Sequence, residues 1–158
     1  MSIFSSSTFR TRICELLILF TDTRNGEMQD LVMYEYIDWP DHGVPGQTET
    51  LIRLIQSVQK SHTSKMVVHS SIGVGRTGTF FALYKLMQLV DANVRFLDIF
   101  QTVLGLRRQR KFMVKQLQQY QFLYTATEVY IKNFSQSSRQ YRFSKRSKSS
   151  STSSTQPV

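Results

Sequence analysis

The sequence reads as a single α/β domain, on three observations. Two runs rich in β-branched and aromatic residues, 11–20 and 29–37, flank Asn25-Gly26, a tight-turn signal between strands. Later segments repeat apolar residues every three or four positions, as helices do. Between them a short apolar run ends in a glycine-rich turn and feeds a helix, the local order of α/β proteins. The 158 residues suffice for one core, and 41% hydrophobic with 20% charged residues lies in the globular range.

The elements follow in order. Residues 11–20 (TRICELLILF) are expected to form a buried strand and 29–37 (QDLVMYEYI) its hairpin partner. A Pro/Gly loop runs from Trp39 to Gly46. In 48–61, Leu51, Ile52, Leu54, Ile55 and Val58 recur at helical spacing. Lys65–His69 (KMVVH) is expected as a short buried strand. After the turn, Phe80, Phe81, Leu83, Met87 and Val90 mark a helix, and two more fit 96–110 and 116–132. From about Ser135 the chain becomes Ser, Thr, Gln, Lys and Arg, too polar to offset its ordering entropy. The expected organisation is a flexible 1–7, a folded 8–134 and a disordered Ser-rich basic tail, 135–158.

Composition excludes several classes. The lone cysteine, Cys14, permits no internal disulfide and no Cys-based zinc site, and it fits a reducing compartment. The longest apolar stretch, Ile13 to Phe20, is too short for a membrane span and carries Glu15. Met1–Arg12 lacks a signal-peptide core, so a cytoplasmic location is expected. Of the 20 Lys and Arg, eleven lie from Arg107 onward, where Glu128 is the one acidic residue. The net charge of +9 is therefore concentrated in the last third. That polarity suits an anionic partner for the tail, or serves solubility alone. Lys145–Lys148 (KRSK) also permits nuclear import.

Chemistry concentrates in the glycine-rich turn. Three of the seven glycines, Gly73, Gly75 and Gly78, fall within six residues at a loop-to-helix junction. Such glycines let backbone amides converge, and the helix adds its own free amides and positive dipole end, so the turn is an anion cradle. Arg76 lies inside it, with a planar fork suited to phosphate. The spacing also satisfies the dinucleotide pattern G-x-G-x-x-G, with Asp98 twenty residues after Gly78, but a His-Ser pair precedes the glycines.

The longer string VVHSSIGVGRTG resembles the signature loop of the protein tyrosine phosphatases: His, Cys, five residues, Arg, then Ser or Thr and Gly. His69, Gly73, Gly75, Arg76, Thr77 and Gly78 match, while Ser70 stands where the family has Cys. YIDWPDHGVP (Tyr36–Pro45) is similar to the family's mobile acid loop. VLGLRRQRKFMV (Val103–Val114) resembles its V-x-x-L-R-x-Q-R helix, and Gln119-Tyr120 with Phe122 and Tyr124 the end of its glutamine loop. The acid and glutamine loops resemble the tyrosine-specific branch. The implied fold is the C-terminal part of a phosphatase-like α/β domain, a mixed twisted sheet flanked by helices. It implies a truncated domain lacking N-terminal portions that line the phosphotyrosine pocket and orient Arg76.

The resemblance assigns roles. Ser70 takes the nucleophile position. It is expected to be non-functional there, because a hydroxyl does not ionise near neutrality and a thiolate with a lowered pKa does. Ser70, Ser71, Ile72, Gly73, Val74, Gly75 and Arg76 would hold the phosphate. Asp41 takes the general-acid position, Trp39 and Pro40 anchor its loop, and Gly43 lets it move. His69 would tune the signature loop, and Thr77 would hydrogen-bond into it. Gln119 matches a water-positioning glutamine; Lys115 stands where a second glutamine belongs, with Gln116 out of register. Ile72 adds bulk at a usually small position. Trp39, Phe80, Phe81, Tyr120, Phe122 and Tyr124 are expected in the core.

Three functions stay open on these grounds. One is an inactive phosphatase-like protein that binds phosphotyrosine proteins. The others are a residually active phosphatase and a non-catalytic interaction protein working through its basic tail. No metal and no organic cofactor is implied.

Overall fold

The computed structural model describes residues 13–21, 24, 26, 28–61 and 65–147. Strands β1 (Ile13–Thr21) and β2 (Met28–Tyr36) pair antiparallel, with Ile13 opposite Tyr36 and Thr21 opposite Met28. The hairpin expected of 11–20 and 29–37 is present, with each strand shifted by one or two residues. The strands part at the Thr21–Met28 pair, and Gly26 takes a left-handed φ of 72° within the link. Asn25 and Cys14's side chain lie outside what is described.

Among the described residues four helices follow: α1 (Thr48–Lys60), α2 (Gly75–Asp91), α3 (Ile99–Gln109) and α4 (Leu117–Ser147). α1 turns its predicted apolar stripe inward, burying Leu51, Ile52, Leu54 and Ile55. α3 begins later than expected because Asp98 caps it, its Oδ1 accepting from the Gln101 backbone N–H at 2.8 Å. α2 lies between α1, α3 and α4. Its Leu83, Leu86 and Met87 meet Leu51, Ile55 and Leu123 in a fully buried centre. Burying each such side chain is worth about 1.5–3 kcal/mol. α4 continues as helix to Ser147, beyond the boundary near Phe134 where a coil was expected. Its Gln-, Lys- and Arg-containing sequence is compatible with helix once the packed first half has nucleated it. Residues 148–158 of the expected tail, and the expected flexible 1–7, lie outside the described residues.

Two expectations are corrected. Lys65–His69 is extended but belongs to no strand, and Val67 is 90% exposed. A strand exists through its ladder, and no described residue supplies one here. Among the described residues the sheet is the antiparallel hairpin of β1 and β2, and helices accompany it as expected of the α/β class. Trp39, Phe80 and Phe122 are core residues as expected, and Phe81 and Tyr120 are half-buried, but Tyr124 is 50% exposed. Tyr124 sits one turn after Tyr120 on the outer face of α4, where the two hydroxyls share a 2.9 Å hydrogen bond. Among the described residues no helix is long and apolar enough to cross a membrane.

The link from α3 to α4 positions the site. Phe112 (φ 66°) and Val114 (φ 57°) both adopt left-handed backbone, costly for residues with a Cβ. Arg107 holds this bend, its Nε donating to Met113 O and its Nη2 to Val114 O, each at 2.9 Å. The bend carries Val114 N to Val74 O at 3.0 Å, against the start of α2. A Cβ on Gly78 would lie 2.4 Å from Val114 N, so glycine is required by this close backbone approach.

Candidate functional site

Residues 69–78 make one tight turn into α2. Gly73 takes φ 72°, which glycine adopts without strain, and Val74 is the helix N-cap residue. Ser70 Oγ shares a 2.8 Å hydrogen bond with Thr77 Oγ1, which ties the start of the turn to the first turn of the helix. Arg110, at the end of α3, donates through Nη2 to Ile72 O at 3.1 Å and braces the turn from outside. Sequence reasoning did not single out Arg110 or Arg107 as supports. The V-x-x-L-R-x-Q-R string, whose two arginines they are, was the available signal.

Arg76 is the second residue of α2, and its guanidinium joins two loops. Nη1 donates to Trp39 O at 3.0 Å. Nη2 donates to Ser71 Oγ at 2.5 Å and forms an ion pair with Asp41 Oδ1. Ser71 Oγ in turn donates to Asp41 Oδ1 at 3.1 Å. The Trp39–Gly46 loop is therefore folded over the glycine turn. Within it, Trp39 is 5% exposed and its Nε1 donates to Gly43 O at 3.1 Å. Gly43 N bonds Pro40 O at 3.2 Å, and a Cβ at Gly43 would lie 2.7 Å from Pro40 Cγ. Glycine at 43 thus serves a close contact in the present conformation.

α4 supplies the third wall. Gln119 is 1% exposed; its Nε2 donates to Gly43 O at 3.1 Å and its Oε1 accepts from Gln116 N at 3.2 Å. Gln118 Nε2 donates to His42 O at 2.8 Å, and His42 holds a left-handed φ of 61°. Gly75 lets the helix start approach the Gln119 amide, which a Cβ would meet at 3.2 Å.

These three segments enclose a cleft of about 130 Å³ lined by Asp41, Ser70, Arg76, Lys115 and Gln119 with the turn between. Gln116, out of register in the sequence, lines it as well, with its Nε2 3.4 Å from His42 Nδ1. Ile72 is 57% exposed, so its bulk sits on the rim. His69 is exposed and faces a second cleft, of about 350 Å³, on another side of the turn. Among the described residues it makes no hydrogen bond with Ser70. The cleft therefore offers Arg76 and the free amides of a helix start to an anion, with Lys115 at its edge. Asp41 already occupies the Arg76 guanidinium as an internal anion. Among the described residues the Ser70 hydroxyl bonds Thr77 alone.

A protein-tyrosine phosphatase family model matches residues 6–128. Receptor-type tyrosine-protein phosphatase alpha of Mus musculus is 40% identical over 122 residues, covering 75% of this chain and 15% of that protein. A phosphatidylinositol phosphatase of Rattus norvegicus, PTPRQ, is 43% identical over 104 residues, covering 64% of this chain and 4% of that protein. The crystal structure of a protein tyrosine phosphatase of Trypanosoma brucei, TbPTP1, superposes with a TM-score of 0.67 at 25% identity. That match covers 76% of this chain and 42% of the other. The chain thus spans a small fraction of the length of the curated relatives it matches.

Proposed function

The chain belongs to the protein-tyrosine phosphatase family, and from that membership we propose that it is a catalytically inactive member that binds phosphotyrosine proteins through residues 70–76. The observation that supports this reading is a cleft that brings Arg76 and the glycine turn together with a serine at the nucleophile position. Arg76 lines the cleft at the start of α2, while the Ser70 hydroxyl is hydrogen-bonded to Thr77 and, among the described residues, to no general base.

The two halves of the family chemistry separate here. Binding needs donors aimed at phosphoryl oxygens, and Arg76 with the helix-start amides supplies them. Bond cleavage needs an ionised nucleophile at phosphorus, and an aliphatic hydroxyl without a base is not one near neutral pH. Losing an essential nucleophile costs on the order of 10⁶ in turnover. A neutral Ser70 also removes the negative charge that a thiolate would set against an entering phosphate dianion. On binding, phosphate replaces the Asp41 carboxylate on Arg76, and Asp41 moves away with its loop. Lys115 adds a point charge but does not position water as an amide does. The basic tail is assigned an auxiliary role with an anionic partner, in the cytoplasm or nucleus.

The test is a fluorescence-polarisation titration of a phosphotyrosyl peptide against the chain and its Arg76→Ala variant. The unphosphorylated peptide is the control. Saturable binding that needs both the phosphate and Arg76 is expected, with no turnover of an aryl phosphate above an S70A/R76A background. A folded chain that fails to bind overturns the binding reading, and turnover above background overturns the inactivity.

A further inference from the structure

The bend between α3 and α4 carries more charge than the adjoining cleft uses. Five of the nine residues from Arg107 to Lys115 are cations, with no acidic residue among them. Arg107 and Arg110 donate to backbone carbonyls, but Arg108, Lys111 and Lys115 are exposed and form no ion pair among the described residues. Two large apolar side chains stand among these cations, Phe112 at 69% exposed and Leu117 at 71%. The exposure of Phe112 is set locally. Met113 and Val114 beside it are buried, and Arg107 fixes the bend through both their carbonyls. Phe112 also holds its left-handed φ of 66°, which an Asn or Gly adopts at less cost. A phenyl ring left in water on left-handed backbone needs a reason other than packing.

We propose that this bend docks the chain on an anionic lipid bilayer, with Phe112 and Leu117 inserted among the headgroups while Arg108, Lys111 and Lys115 meet the acidic lipids. Cations interleaved with protruding apolar tips supply both parts of interfacial binding, attraction to acidic lipid and burial of apolar area. Charge complementarity selects an anionic surface. The bend carries no carboxylate, Asp41 at the adjoining cleft is taken by Arg76, and the whole chain carries +9. Shape selects a bilayer over an acidic protein. Phe112 and Leu117 line neither cleft, so they are tips that enter a fluid interior and not walls of a groove that grips a peptide. Docking sets the Arg76 cleft near the bilayer, because Lys115 and Gln116 of the same bend line that cleft. The surface stands whether or not the cleft binds phosphotyrosine.

The test is co-sedimentation of the full chain with two kinds of vesicle, phosphatidylcholine alone and phosphatidylcholine with phosphatidylserine in about a four-to-one ratio. Binding to the second kind alone is expected. Phe112→Asn combined with Leu117→Ser should weaken it at least about tenfold through lost apolar burial. Arg108→Gln combined with Lys111→Gln should weaken it at least about tenfold through lost charge. Asn suits left-handed backbone, so the first double variant should keep its thermal midpoint, which separates docking from folding. Phe112→Trp adds a direct readout beside the buried Trp39. Its emission should shift to the blue on the anionic vesicles and be quenched by lipids brominated in the acyl chain. Equal binding to both kinds of vesicle, or no binding by a folded chain, overturns the proposal. So does undiminished binding by the Phe112→Asn, Leu117→Ser chain, which would leave the basic tail as the binder, and so does an unshifted Phe112→Trp emission. Inert vesicles, with a poly-glutamate peptide bound through Phe112 and Leu117, would overturn it by making an acidic protein the occupant.

Discussion

At the scale of single residues, Ser70, Lys115 and Asp41 decide what the cleft can do. Restoring a thiol tests this directly. Ser70→Cys places an ionisable group at the start of a cationic turn, where a thiolate is favoured. With Lys115 still in place of an amide, the variant should give a burst of about one p-nitrophenolate per chain from p-nitrophenyl phosphate and then stall. Adding Lys115→Gln should convert the burst to turnover. Steady turnover by Ser70→Cys alone would show that Lys115 is no obstacle. Asp41 is the second case, since its carboxylate sits on the Arg76 guanidinium that the proposed phosphate binding would use. Asp41→Asn removes the competing charge and should tighten phosphotyrosyl-peptide binding about tenfold, roughly 1.4 kcal/mol. Unchanged or weaker affinity in the same titration would show that the ion pair does not compete.

Between elements, backbone proximity matters more than side-chain chemistry. α2 and the bend before α4 meet so closely at Gly78 that a Cβ would sit 2.4 Å from Val114 N. Gly78→Ala should destabilise the chain by about 2–3 kcal/mol, as overpacked contacts do. It should also weaken phosphate binding, because the same contact sets the start of α2. A denaturant midpoint equal to wild type would refute the close approach. α4 and α2 are also joined by Tyr130, whose hydroxyl donates to Asp91 Oδ1 at 2.6 Å. Burial first, and then this bond, pushes the Tyr130 hydroxyl well above its ordinary value of 10.0. The folded state thus holds the proton more tightly than the unfolded one. The associated stability is complete below pH about 10 and declines as pH rises beyond it. Thermal midpoints measured from pH 8 to 11 should fall above pH 10, and less steeply in Tyr130→Phe. Parallel curves would remove Tyr130 from the account.

At the scale of the molecule, stability is uneven. The helices share one core around α2, whereas the hairpin reaches it through Ile13, Tyr34 and Tyr36, with the Tyr36 ring set edge-on to Trp39 at 5.7 Å. All three lie toward one end of the ladder, and the Thr21–Met28 end projects away from them. A two-stranded hairpin has little stability of its own. Amide protection should therefore fall from the Ile13–Tyr36 end toward Thr21–Met28 and stay well below that of α2. Hydrogen exchange at single-residue resolution checks this, and protection of the far end equal to that of Leu83 or Leu86 would contradict it.

Much of this was legible in the chain before any coordinates. The apolar spacing of Leu51, Ile52, Leu54 and Ile55 specifies a buried helix face because helix periodicity is a local property. The string from His69 to Gly78 announces a tight turn into a helix for the same reason, since glycine acts on its immediate surroundings. Lys65–His69 misled because apolar, β-branched residues say only that a segment can pair, while its partner lies elsewhere in the chain or on another molecule. Tyr124 misled because one turn of helix separates an inner face from an outer one. Nothing local in Val114 or Phe112 foretold left-handed backbone, which is imposed by the approach of α4's leading bend to α2 and by Arg107. The ion pair of Asp41 with Arg76, and the support of Ile72 by Arg110, join positions more than thirty residues apart. Short-range sterics and periodicity thus write the elements and the cradle into the sequence. Which loop covers that turn and which cation braces it depend on long-range packing, where no residue specifies its neighbour alone.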